Sequence, residues 1–78
     1  MEQNTIMEYA YWGVIEEIVT LTRLRDICLE VSDGDTANEY ENRIEKSKSD
    51  FDFIIQSLGY DKESCLEVLD YEIRKKVG

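Results

Sequence analysis

Histidine is absent from this 78-residue chain, which removes the commonest general base and every imidazole metal ligand. A serine or cysteine nucleophile would have only a carboxylate or a lysine to take its proton. Asp33 and Asp35 have the one-and-three spacing of a calcium loop. Asn38, however, stands where such a loop needs its glycine, and Ile44 where it needs its bidentate acid. That is turn and helix-capping chemistry, and neither a metal nor a cofactor is expected. Cys28 and Cys65 form no CxxC or other metal-ligand spacing. Both fall on apolar stripes and are expected to be buried thiols, not a disulfide.

Glu30 with Asp33, and Glu67 with Asp70, make two Glu-x-x-Asp pairs. They resemble half of the paired acidic motif with which all-helical nucleotide pyrophosphohydrolases hold magnesium, and the resemblance implies a metal-dependent nucleotide hydrolase. The chain departs from that pattern: the partner half, Glu-x-x-Glu, occurs nowhere in it, and Glu67 projects away from the apolar stripe of its helix. The expected protein is not an enzyme.

What the chain has in excess is carboxylate. Eighteen acidic residues against nine basic ones give a net charge of −9 and an isoelectric point near 4.3. Such a chain repels nucleic acid and anionic lipid and is steered towards basic surfaces. Glu41, Glu45 and Asp52 lie along one flank of an expected second helix, interrupted by Lys48. Glu63, Glu67 and Asp70 lie along one flank of a third. Carboxylates three to four residues apart on a helix are about 5–6 Å apart, comparable to phosphates along a strand, so these rows have the pitch to imitate a nucleic-acid backbone for a nucleic-acid-binding partner. A solvated outer face of an acidic bundle has the same appearance. A second candidate surface is Trp12, Ile15 and Val19, at the i, i+3, i+7 spacing with which helices enter grooves; tryptophan often carries binding energy. Two occupants fit that surface, the third helix of the same chain or another molecule.

The elements that must position these groups are helices. Zero prolines and four glycines favour long uninterrupted ones. At about 100° per residue, Met7, Ala10, Val14, Ile18, Leu21, Cys28 and Val31, with Leu24 at the edge, form one face of a helix over 4–31. Trp12, Ile15 and Val19 form the opposite face, and a helix apolar on two sides must be covered on two sides. Met1–Gln3 are expected to fray, and Asn4 or Thr5 to cap the helix. Gly13 marks either a close helix–helix approach or a small kink. Ile18–Thr22, being β-branched, has a competing strand reading.

Ser32-Asp33-Gly34-Asp35 reads as a turn. Thr36 and Glu39 then have the capping-box pattern for a helix over 36–58, with Ala37, Tyr40, Ile44, Ser47, Phe51, Ile54, Ile55 and Leu58 on its stripe and Phe53 pointing away. Gly59 ends that helix. Asp61 caps a third over 61–77, whose stripe is Cys65, Leu66, Leu69, Ile73 and Val77. Asp70 with Arg74, and Glu72 with Lys76, are favourable pairs four apart.

The whole predicts an all-α fold, a single three-helix domain over 1–78 whose long first helix is sandwiched within a homodimer. A chain this short buries only about 60% of the surface it exposes when unfolded, so a second copy would add stability. With an acidic N-terminal stretch that has no hydrophobic region, no secretory signal is expected, and the longest apolar run, Tyr9–Ile15, is too short for a bilayer; the expected location is the cytoplasm. The expected function is that of a non-enzymatic acidic binding module, an inhibitor or adaptor that docks on a protein partner with a basic, nucleic-acid-handling surface, without touching nucleic acid or membrane itself. In composition it resembles the short acidic inhibitors that phages and mobile elements carry against nucleases and other host defences. The alternative is an obligate oligomeric structural module whose acidity serves solubility.

Overall fold

Gln3–Glu30 form one unbroken helix, α1, in the computed structural model, which describes residues 3–77, with side chains from Thr5 to Lys75. Ile18–Thr22 continue it as helix, because the apolar spacing on both sides outweighs their β-branching. The helix begins at Gln3, so Thr5 lies inside its first turn and not at its cap. The side chain of Asn4, and those of Lys76 and Val77, lie outside the described residues, as do Met1 and Glu2. Gly34–Leu58 form α2 and Lys62–Val77 form α3. The molecule measures 45 × 22 × 21 Å, the long dimension being that of α1 at 1.5 Å per residue.

Each helix end has a local cause. At the end of α1, Ser32 N–H bonds Leu29 C=O (3.1 Å) and Asp33 N–H bonds Cys28 C=O (2.8 Å), a Schellman closure. Its left-handed position is filled by Ser32, at φ 63°, and not by the glycine two residues on. The cap of α2 also differs from the Thr36–Glu39 box. Asp33 caps it, its Oδ1 accepting from Thr36 N–H at 3.2 Å, and α2 starts two residues early because that aspartate precedes the threonine. Gly59, at φ 75°, closes α2 as its sequence position implies, with bonds from Gly59 N–H to Gln56 C=O and from Tyr60 N–H to Ile55 C=O. Asp61 caps α3 through its Oδ2 on Ser64 N–H (3.0 Å).

The core corrects the picture of two opposite apolar faces on α1. Val14, Ile18, Tyr11, Ile15 and Val19 are all buried, in one cluster with Phe51 and Ile55 of α2 and Cys65 and Leu69 of α3. On the helical net, Leu21 to Val19 form a single arc about 160° wide, whose middle is filled by Tyr11 and Thr22. Those two are polar-tipped residues and break up an apolar stripe read by residue type. α2 covers one side of the arc and α3 the other, which is how helices with one stripe each enclose α1. Ala10 and Val31, placed on the core face by the periodicity, are exposed, and Cys28 is half-buried.

α1 packs along α2 over most of its length, whereas α3 makes few contacts with either. With 16 residues against 28, α3 leaves roughly 18 Å of the α1–α2 hairpin bare. Beyond Val19 the molecule is two helices thick, held by Leu21, Ala37 and Ile44 in its seam.

Candidate protein-interaction site

α3 turns back along α2 without closing on it. The turn through Gly59, Tyr60 and Asp61 fixes where α3 starts, and three contacts hold that end: Tyr60 hydroxyl donates to Glu8 Oε2 on α1 (2.9 Å), Lys62 Nζ lies 3.2 Å from Asp52 Oδ1 on α2, and Cys65 enters the core. Further along, α2 and α3 diverge and leave a cleft of about 340 Å³. Its floor and walls are Phe51, Ile55, Leu66, Leu69 and Ile73; its rim is Lys48, Asp52, Lys62 and Asp70. Leu66, assigned to the core stripe from its spacing, is 45% exposed as one wall of this cleft. An apolar floor with a few charged groups at the mouth is the usual make-up of a binding pocket.

Several sequence-predicted site residues meet here. Asp52 and Asp70 are on the rim. By helical phase, Glu45 lies on the α2 lip and Glu63 and Glu67 on the outer side of the α3 lip, all three exposed. One acid of each flank, Asp52 of α2 and Asp70 of α3, thus reaches the cleft, from opposite sides. The flanks are not continuous rows of free carboxylates, however. Asp52 also accepts from Gln56 Nε2 (3.0 Å), and Asp70 pairs with Arg74 (3.0 Å) as its spacing implies. Glu72 pairs with Lys75 (3.7 Å). Glu41 is at the far end of the molecule, 2.6 Å from Arg25 Nη1. That bond, above all, raises the Arg25 pKa. The flank of α2 that carries Glu41 and Asp52 turns towards its neighbours, where bases meet them.

Trp12, Ile15 and Val19 are elsewhere, on the other side of α3. Ile15 and Val19 are 2% and 5% exposed beneath α3, so within the chain this face is mostly core. Trp12, 52% exposed, stands at its edge beside a groove of about 130 Å³ that reaches Glu72. The buried aromatic is its neighbour Tyr11, stacked on Phe51 (5.7 Å between centroids) and edge-on to Tyr60 and Trp12. Its hydroxyl is pushed up to about 12 by burial, with the Cys65 thiol as a second cause. Tyr11 lies on the helical net between Ile18 and Ile15, and that position was the available signal.

No protein-family model, curated protein or solved structure matches the chain. Geometry alone bears on its function. Among the described residues no group of three or more His, Cys, Asp or Glu side chains is placed to hold a metal ion, and none of the helices is long and apolar enough to cross a membrane.

Proposed function

We propose that the chain is a small acidic module, working in the cytoplasm without catalysis, that docks on a protein partner with a basic surface and blocks or recruits it. A partner that handles nucleic acid is the sharpest form of this reading, since its surface is already built for rows of negative charge. The observation that supports it is the α2–α3 cleft: an apolar floor with Asp52 and Asp70 on its rim beside Lys48 and Lys62, and the exposed Glu45, Glu63 and Glu67 on the surface beyond. A partner segment with an apolar side chain flanked by lysine or arginine matches it, the apolar group filling the floor and the bases meeting the lips. The charge of −9 would speed encounter. The module acts as a homodimer, which leaves the cleft of each copy free if the copies meet on α1.

The test uses the immobilised chain and an extract of its native host. Basic proteins should be retained at low salt and released at high salt, mostly through a slower on-rate. Reversing Glu63, Glu67 and Asp70 together to lysine should weaken retention at low salt, and Leu66→Asp in the cleft wall should weaken it at every salt concentration. Retention indifferent to both changes would overturn the proposal.

A further inference from the structure

The face of α1 turned away from both α2 and α3 is not a polar one. Ile6, Tyr9, Leu24 and Ile27 lie along it, 58%, 77%, 37% and 48% exposed, and Val31, 69% exposed, follows just past its end. From the usual size of such side chains this is roughly 500–600 Å² of apolar area, the most that monomers leave bare and not far below the roughly 800 Å² each partner gives to a standard interface. On it, about 8 Å from its midpoint at 1.5 Å per residue, is Gly13, which costs a helix interior about 1 kcal/mol relative to alanine. Nothing in the chain requires that glycine: a Cβ there would meet no atom within 4 Å. α1 passes through it unbroken, so it serves neither a turn nor a helix end.

We infer that this face seats a second copy of the chain, antiparallel about a twofold axis level with Ile18 and Val19, with Leu24 of each copy set over Gly13 of the other. The inference rests on the homodimer reading above and supplies its face and register. The support is that the stripe complements its own reversal. Counted outward from the point between Ile18 and Val19, Ile6 is as far as Val31, Ala10 as far as Ile27, Gly13 as far as Leu24, and Glu17 as far as Thr20. Each large side chain therefore meets an apolar or small one, which an isologous interface requires. A shallow depression of about 410 Å³ runs along α1 from Gly13 to Leu24, past Glu16, Glu17 and Thr20, with Tyr40 and Arg43 of α2 on its other side, and its Gly13 end is open to a side chain from outside. The acids at the centre are also answered: Glu16 falls within a turn of Arg23 of the second copy, and Arg43 borders the same depression. A parallel arrangement would lay Glu16 and Glu17 directly against themselves, whereas the antiparallel one offsets the two Glu17 by about 4.5 Å along the helices.

The experiment uses the full chain with Cys28→Ala, which leaves only the buried Cys65 as background thiol. Gly13→Cys and Leu24→Cys variants, mixed and oxidised, should give a disulfide-linked pair containing one of each, and far less when either is oxidised alone. In sedimentation over micromolar concentrations the parent should dimerise. Gly13→Leu and Leu24→Glu should each raise the dissociation constant at least tenfold with unchanged helical circular dichroism, since a side chain at Gly13 meets nothing within the monomer and Leu24 lies outside its core cluster. A parent that is monomeric throughout, cross-links that form within each variant alone, or a dimer indifferent to both substitutions would overturn the inference. Salt-sensitive retention of basic proteins by a monomeric chain would sink this inference while leaving the partner-binding reading in place.

Discussion

Ser32 holds a conformation that suits another residue. At φ 63° it sits in the left-handed region, which costs a residue with a Cβ roughly 1 kcal/mol relative to glycine. Glycine loses more entropy on folding, so the net gain for Ser32→Gly should be about 0.5–1 kcal/mol, read as a higher urea midpoint with unchanged slope. Tyr11 makes a second prediction, in pH. Its hydroxyl ionises near 10 in the unfolded chain and only near 12 in the fold. Between those values the unfolded chain gives up a proton that the folded chain keeps. The contribution is thus complete below about pH 10 and is lost as pH rises towards 12. Alkaline denaturation of Tyr11→Phe should show a shallower fall over that window than the parent.

At the scale of the element, α3 is the helix with least to hold it. Its amides should exchange with solvent at lower free energy than those of α1 between Tyr11 and Val19, since local opening follows local contact density. Leu69→Ala should cost about 2–4 kcal/mol and speed exchange in α3 more than in the bare end of the hairpin. Gly59→Ala, at φ 75°, should cost about 1–2 kcal/mol, measured by the same denaturation. The ends of the elements were legible in the sequence where one residue has one job, as at Gly59 and Asp61. They were misread where two residues compete, as Asp33 and Thr36 do for the cap of α2. The apolar arc of α1 was legible in extent but not in direction, because Tyr11 and Thr22 mark its middle with hydroxyls. The cleft was hardly legible at all. It comes from the divergence of α2 and α3, and Leu66 on its wall has the same spacing as a core residue.

For the molecule as a whole, the two associations proposed should respond to salt in opposite ways. Docking on a basic partner should weaken as salt rises, while two copies that each carry −9 repel and should associate more tightly once screened. Reductant should leave the melting temperature unchanged. Cys65 packs with Tyr11 in the core cluster, and Cys28 is about 25 Å further along α1 at 1.5 Å per residue, far beyond disulfide reach. The bare end of the α1–α2 hairpin carries its own consequence. Residues 31–35, at the tip, are all exposed, while the contacts that bind α1 to the rest are concentrated at the other end, in Tyr11, Ile15, Ile18, Phe51, Ile55 and Leu69. A protease that nicks the tip should therefore produce two fragments that co-elute in native chromatography and separate only in denaturant. Expressed apart, α1 and the α2–α3 pair should reassemble by complementation, with the circular dichroism of the intact chain.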